Sequence, residues 1–237
     1  MAYAQPVVIP VVNADEDTRA QFITRVYQHI GLAVVVFIVF EYLLFTFGIA
    51  ERMENIFFGG SGFAWIGLLL AVGLGSTIAS QTAHNLNSKG LQYAGLFGEA
   101  ALQAIIFAPF LFYIFQSDQD AKGTIGWSAV ITLLGFGVLS IVAYTSRKDF
   151  SFLRPFIMWA SIAAFVLIGG SLFLGFNLGM LFSVAMVALA GAMILYKTQQ
   201  IVREYPSHAY VGASVALFAS LMLMFWYVLR IVGSLRN

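Results

Sequence analysis

The dominant feature of the sequence is a series of apolar runs, each long enough to cross a bilayer and separated from the next by a short polar break. About 20 apolar residues in a helix span the ~30 Å hydrocarbon core. A β-barrel would instead need short strands of alternating polarity, which this pattern does not provide. The sequence therefore predicts an all-α, polytopic membrane protein. The seven predicted spans are Tyr27–Ile49, Ser61–Gln81, Leu91–Phe115, Thr124–Tyr144, Phe152–Gly175, Gly179–Gln200 and Tyr210–Gly233.

The composition agrees with a membrane protein and narrows the functional classes. Hydrophobic residues make up 60% of the chain and charged residues only 10%, and the mean hydropathy is +0.88, which excludes a soluble domain. A net charge of +1 argues against a nucleic-acid partner. Cysteine is absent, so disulfides and thiolate metal sites are excluded. We expect no cofactor, and we expect the protein to interact with the lipid bilayer in which it is embedded.

The polar segments predict the domain organisation. We expect residues 1–25 to form an extended tail followed by a short surface helix over Asp15–Arg25, capped by Thr18 or by Asn13 with Glu16. Residues 26–237 then form the seven-helix membrane domain. The segment Glu51–Gly60 is expected to be one of the longest loops.

The distribution of lysine and arginine predicts the orientation. Seven spans place the termini on opposite sides, and cytoplasmic loops carry the excess of basic residues. With the amino terminus inside, eight basic residues lie inside and four outside. We therefore predict a cytoplasmic amino terminus and an external carboxyl terminus. The inside set is Arg19, Arg25, Lys89, Arg147, Lys148, Arg154, Lys197 and Arg203; the outside set is Arg52, Lys122, Arg230 and Arg236.

A few ionisable residues fall within the predicted spans and form a candidate intramembrane polar site. The acids are Glu41 and Glu99, and the bases are Lys197 and Arg230. A lone charge near the bilayer centre costs about 3 kcal/mol, so each should be neutral, paired or in a polar cavity. One hypothesis is that Lys197 pairs with Glu99 or Glu41. The alternative is that Lys197 extends to the surface while the glutamates are neutral or bond to Gln103 or a hydroxyl.

Small residues at a spacing of four mark two helices for close packing. This spacing places them on one face, where two backbones can approach each other. We therefore expect the second and seventh spans to lie inside the bundle. The residues are Gly67, Ala71, Gly75 and Ala79 in the second span, and Gly212, Ala216 and Ser220 in the seventh.

The sequence offers little support for an enzyme or a metal centre. Ser61, within a Gly-Gly-Ser-Gly segment, superficially matches the motif of intramembrane serine proteases, but a nearby histidine would also be required. The predicted topology places His208 on the opposite side of the membrane. His29, His84 and His208 have no metal-ligand spacing. We expect a non-enzymatic protein without a metal site.

Four segments resemble one known family. The loop at Ala143–Leu153 reads AYTSRKDFSFL, and Gly191–Ile201 reads GAMILYKTQQI. Together with Ala216–Gly233 and Phe107–Phe110, these segments resemble the Bax inhibitor-1 family and specifically its bacterial YccA-type branch. The resemblance covers nearly the whole chain after Arg19.

The resemblance implies a bundle whose closing helix is surrounded by the other six, in the bacterial cytoplasmic (inner) membrane. Some members of the family conduct a pH-sensitive calcium leak, gated by two aspartates that face each other on the sixth and seventh helices. The YccA-type branch is instead known for binding and restraining a membrane-bound AAA protease that degrades unassembled membrane proteins.

This chain departs from the family at the two acidic positions, where it has Lys197 and Ser220. Two close carboxylates can share a proton, whereas a lysine repels a divalent cation. We therefore expect a protein that modulates membrane-protein quality control or a stress response through partner binding. The alternative is a Ca²⁺ or H⁺ leak channel or exchanger that uses Glu41, Glu99 and Lys197.

Overall fold

The computed structural model describes residues 10–59, 62–146 and 148–236, and those ranges are almost entirely helical. Seven of the eight helices are long and apolar enough to cross a membrane, which confirms the predicted fold class. The exception is α2. The helices are α1 (Glu16–Thr46), α2 (Ile49–Gly59), α3 (Gly62–Ala83), α4 (Lys89–Ser117), α5 (Ala121–Thr145), α6 (Leu153–Leu174), α7 (Gly179–Glu204) and α8 (Tyr210–Arg236).

The predicted short surface helix is not separate from the first span. Helix α1 runs without a break for 31 residues from Glu16 to Thr46, because no glycine or proline interrupts it before the apolar run. Its cap is Asp15, whose carboxylate accepts a hydrogen bond from the Thr18 backbone N–H at 2.9 Å. That hydrogen bond lowers the pKa of Asp15. The proposed caps at Thr18 and Asn13 were therefore wrong.

The described part of the tail is anchored to the end of α7. Val11 is fully buried, and its backbone N–H donates to the Tyr205 carbonyl at 2.9 Å. Pro10 pairs with Pro206 in an isolated bridge. The tail prediction for residues 1–9 lies outside the described residues.

Residues 51–59 of the segment predicted as the loop Glu51–Gly60 fold instead as part of α2, and Gly60 lies outside the described residues. Gly48 adopts a positive φ of 65°, a conformation that glycine tolerates, and so lets the chain turn from α1 into α2. The apolar face of α2 packs on α4, where the rings of Phe58 and Tyr113 stack at 4.7 Å. The loop prediction was wrong because charged and apolar residues alternate irregularly in this segment, which is also typical of an amphipathic helix.

The helices α1 and α3 to α8 alternate in direction, which defines two ends of the bundle. We call the end where α1, α4, α6 and α8 begin the N-side, and the opposite end the far side. His84, just after α3, bonds Tyr205, just after α7, at the N-side. Arg236 at the end of α8 pairs with Asp120 in the α4–α5 loop at the far side.

Helix α8 is the central helix of the bundle. It packs against α1, α3, α4, α5 and α7 and has the largest buried share among the spans. Helix α6 differs, since it packs chiefly on α7 and buries only Ala164. The closing helix is therefore surrounded by five helices, with α6 on the outside.

The small-residue stripe on α3 meets α4 only at its N-side end. A Cβ added at Gly95 of α4 would lie 2.4 Å from the Ala79 carbonyl oxygen, and one at Gly75 would lie 2.9 Å from a side chain of α4. Gly67 and Ala71 are exposed, so the packing predicted for them is wrong. Because each step of four residues rotates the position by about 40°, a stripe over twelve residues turns about 120° around the helix.

The stripe on α8 is buried, but a histidine ring rather than a second backbone covers its first member. A Cβ at Gly212 would lie 2.9 Å from the His84 ring. Ala216 is half-buried and Ser220 is 2% exposed. The small residues thus admit side chains from neighbouring helices to the backbone of α8.

Candidate functional site

Lys197 is held by the backbone of the central helix. Its Nζ donates a hydrogen bond to the Ala216 carbonyl at 3.0 Å, and the Ser220 hydroxyl donates to the same oxygen at 3.3 Å. The small side chain of Ala216 leaves this carbonyl accessible from α7. The two positions that depart from the family pattern therefore converge on one backbone oxygen of α8.

Glu99 is bonded to an amide on its own helix. The side chain is 1% exposed, and Gln103 Nε2 donates to its Oε1 at 2.8 Å. Its Oε2 has no hydrogen-bond partner within the described residues. The bond to Gln103 is the arrangement that the alternative hypothesis anticipated.

The hypothesis of a direct Lys197 ion pair is wrong. Among the residues that the structure describes, the ion pairs within 4.0 Å are Arg203–Asp149 and Arg236–Asp120, and neither involves Lys197. The ammonium neither pairs with a carboxylate nor extends to the surface, because a backbone carbonyl is within its reach.

Glu41 is a buried carboxyl group on α1. It is 7% exposed, and neither carboxylate oxygen has a hydrogen-bond partner in the described part of the chain. Phe37 and Phe45, one turn away on either side, pack against aromatic rings of α4. An ionised carboxylate at this position would have no donor to compensate its lost hydration.

The positions along the helices separate these residues into two levels. At 1.5 Å per residue, Glu99 and Ser220 lie about 15 Å from the N-side ends of α4 and α8, and Lys197 lies about 10 Å from that end of α7. Glu41 lies about 8 Å from the far-side end of α1. We call the group of Lys197, Ser220, the Ala216 carbonyl and Glu99 the polar layer; Glu41 is not part of it.

A cavity of about 930 Å³ extends from the far side towards the polar layer, between α3, α4, α6, α7 and α8. Gln103, Met193 and Ala219 line its inner end. Each of these residues lies about one helical turn closer to the far side than a member of the polar layer. The pairs are Gln103 with Glu99, Met193 with Lys197, and Ala219 with Ala216. The floor of the cavity therefore borders the polar layer, with Ala219 at the level of Ser220.

Arg230 belongs to the mouth of the cavity and not to the polar layer. It lines the cavity together with Asn177 in the α6–α7 connection. It lies eleven positions after Ala219 on α8, a rise of about 16 Å. The described residues place no carboxylate oxygen within 4.0 Å of its guanidinium. The sequence had grouped Arg230 with Lys197 because both are bases in predicted spans.

Two histidine–tyrosine pairs close the N-side of the bundle. Each histidine bonds a backbone carbonyl through Nδ1, at 2.7 Å. A carbonyl only accepts, so Nδ1 carries the proton and Nε2 accepts from a tyrosine hydroxyl. His29 bonds Tyr93 at 2.9 Å and His84 bonds Tyr205 at 3.0 Å; burial raises the pKa of Tyr205. Sequence reasoning missed these pairs, since their members are far apart in the chain.

Gln199 anchors the loop between α5 and α6. It is buried; its Oε1 accepts from the Phe150 backbone N–H at 2.6 Å, and its Nε2 donates to the Lys148 carbonyl at 2.7 Å. Asp149 in this loop pairs with Arg203 at 3.1 Å. The backbone hydrogen bond from Ser151, with a smaller contribution from Arg203, lowers the pKa of Asp149. The sequence feature that could have indicated this role is the position of Gln199 within a predicted membrane span, where an amide side chain needs hydrogen-bond partners.

The remaining sequence candidates provide no catalytic or metal arrangement. Ser61 lies outside the described residues, and His208 is exposed at the N-side. Within the ranges 10–59, 62–146 and 148–236, no group of three or more His, Cys, Asp or Glu side chains is placed to hold a metal ion.

Comparison with known proteins identifies the family. The profile described as inhibitor of apoptosis-promoting Bax1 matches residues 19–237. An uncharacterized membrane protein of Vibrio cholerae is 30% identical over 49% of this chain and 53% of its own length. An uncharacterized protein of Pseudomonas aeruginosa is 37% identical over 44% and 47%, respectively. The matched segments thus span about half the length of these relatives. Because the family profile covers nearly the whole chain, the protein belongs to the Bax inhibitor-1 family of integral membrane proteins.

Proposed function

We propose that this protein is a non-enzymatic modulator of membrane-protein quality control, acting through a partner in the bilayer. A membrane-bound AAA protease is the partner that the YccA-type resemblance suggests. In this proposal the protein lies in the bacterial cytoplasmic membrane with its amino terminus inside, and it acts by contact rather than by transport.

The observation that carries the proposal is the hydrogen bond from Lys197 to the Ala216 carbonyl, beside Ser220. An ammonium at this level opposes the entry of a divalent cation, because the Coulomb repulsion is strong in a medium of reduced dielectric. Lysine and serine also cannot share a proton as two carboxylates do. The calcium gate of other family members therefore has no counterpart in these residues.

The partner is tested with the purified full chain and a purified membrane-bound AAA protease in the same proteoliposomes. The rate of degradation of an unassembled membrane protein should fall as the ratio of this protein to the protease rises. Crosslinking from native membranes in mild detergent should recover the same protease. An unchanged degradation rate, with no crosslinked protease, would refute the partner.

The electrostatic argument is tested by restoring the acidic pair. Proteoliposomes with wild-type protein should pass no more Ca²⁺ than protein-free liposomes, and Lys197→Asp combined with Ser220→Asp should raise the flux. Lys197→Met is the matched control, since it removes the ammonium without adding an acid. Efficient Ca²⁺ flux through the wild-type protein would overturn the argument.

A second candidate function is a proton or cation leak through Glu99. It is favoured by the unpartnered Oε2 of Glu99 and by the position of Gln103, which bonds Glu99 and lines the cavity. If this is the function, Glu99→Gln abolishes proton flux in proteoliposomes. Glu41→Gln is the matched control and leaves the flux unchanged, because Glu41 lies outside the polar layer.

A further inference from the structure

The large far-side cavity has features that neither partner binding nor the polar layer requires. Its walls are formed mainly by aromatic and aliphatic side chains, including Trp65, Phe107 and Trp226. Its volume of about 930 Å³ is at the upper end of the range of small-molecule sites. A cavity of this size with apolar walls favours an apolar occupant.

The depth of the cavity matches one lipid acyl chain. Ala219 at the floor and Arg230 at the mouth are separated by about 16 Å along α8. One leaflet supplies half of the ~30 Å hydrocarbon core, which is about 15 Å. The cavity thus runs parallel to the acyl chains of the leaflet that surrounds it.

The mouth carries one uncompensated positive charge. Arg230 lies six residues before the end of α8, and its long side chain can reach the head-group level. The described residues offer it no carboxylate within 4.0 Å. A guanidinium binds carboxylate and phosphate groups through paired N–H donors, so the mouth is complementary to an anionic head group.

The bilayer has access to this cavity through its outer wall. Helix α6, which forms that wall, packs chiefly on α7 and makes few contacts with α3. Phe63 and Phe173 join the far-side ends of α3 and α6, with ring centroids 5.4 Å apart. The cavity is partly open rather than enclosed, so the surrounding lipid has access to it without a large rearrangement.

From these observations we propose that the cavity binds a lipid with an anionic head group, with one acyl chain between α3, α4, α6 and α8 and the head group on Arg230. The chain ends at Gln103 and Ala219, next to the polar layer. The site is independent of the proposed protease partner.

The test uses the tryptophans of the cavity as reporters. The ring centroids of Trp65 and Trp226 are 6.4 Å apart, and both residues line the cavity. Trp127 and Trp159 are 62% and 71% exposed, so Trp127→Phe with Trp159→Phe removes the background from annular lipid. In detergent, a brominated fatty acid should quench the fluorescence of the two remaining tryptophans. The quenching should saturate as the fatty acid is added, at about one bound molecule per protein.

Arg230→Gln should weaken the binding of the brominated fatty acid about tenfold, because a charge-assisted hydrogen bond is lost. The neutral brominated methyl ester should bind the parent and the Arg230→Gln variant equally weakly. Quenching by brominated phosphatidylglycerol as well as by the fatty acid identifies a membrane phospholipid as the source, and quenching by the fatty acid alone identifies a free fatty acid.

Ala219→Leu provides a second, steric variant that leaves Arg230 in place. It should shorten the cavity and reduce the affinity for a long-chain probe more than that for a short-chain probe. Quenching that does not saturate, or that is equal for the anionic probe and its neutral ester, would overturn the proposal. So would unchanged affinity of both the Arg230→Gln and the Ala219→Leu variants.

Discussion

The two ends of the bundle are built differently, although both consist of the same apolar helices. The N-side is closed by hydrogen bonds between distant segments, such as His84 with Tyr205 and Gln199 with the α5–α6 loop. The far side contains the 930 Å³ cavity and Glu41, whose carboxyl oxygens have no hydrogen-bond partner among the described residues. The comparison shows that hydrogen bonds between distant segments are concentrated on one side of the polar layer and open space on the other.

The largest expected difference between the two ends is in how much a larger side chain destabilises the protein. Gly95→Ala should destabilise the protein by about 2–3 kcal/mol, because the new Cβ would meet the backbone of α3 at 2.4 Å. Gly67→Ala is the matched control, since nothing lies within 4 Å of its Cβ position. Unfolding in mixed micelles measures both variants. Equal destabilisation by the two changes would contradict the distinction between a tight and an open end.

The two buried acids provide a second contrast. Glu41→Leu should stabilise the protein by about 1 kcal/mol, because it replaces a carboxyl without partners by an apolar side chain of similar size. Glu99→Leu should destabilise it by about 1 kcal/mol, since Gln103 then loses its acceptor. Unfolding free energies measure both variants. A loss of stability in Glu41→Leu would show that Glu41 has an essential partner.

A smaller effect is expected at the boundary between the two ends. In a double-mutant cycle of Lys197→Met and Glu99→Gln, we expect a coupling below about 1 kcal/mol, because no direct ion pair joins the two side chains. Breaking one partner of a direct buried pair would cost about 3–5 kcal/mol. A coupling in that higher range would restore the hypothesis of a direct pair.

The smallest effect concerns the exposed loop at the N-side. The pKa of Asp149 is lowered in the folded protein, so its contribution to stability is present above the unfolded pKa of about 3.9. That contribution is lost as the pH falls through the lowered folded pKa. Asp149→Asn should therefore reduce the unfolding temperature slightly at pH 7 and by less at pH 3. An equal reduction at both values would assign the effect to packing rather than to charge.

Much of the fold could be predicted from the sequence, whereas the candidate site could be predicted only in part. The number of spans is confirmed, because their lengths are set by the bilayer, although the first span ends at Thr46 and not at Ile49. Helix α2 was missed because its mixed polarity resembles that of a loop. The sequence selected Lys197, Ser220 and Glu99, which the structure brings to one level. It also selected Arg230 and Glu41, which lie elsewhere, because hydropathy reports depth only approximately and does not report which helix faces which.

By itself, the sequence determined the membrane-spanning architecture, the family and the replacement of the acidic pair by Lys197 and Ser220. These are local properties of composition and motif. The tertiary structure alone decided that Lys197 bonds a backbone carbonyl rather than a carboxylate, and that a cavity ends above it. Both depend on the relative rotation and spacing of α7, α8 and α6, and side-chain packing between distant segments sets that arrangement.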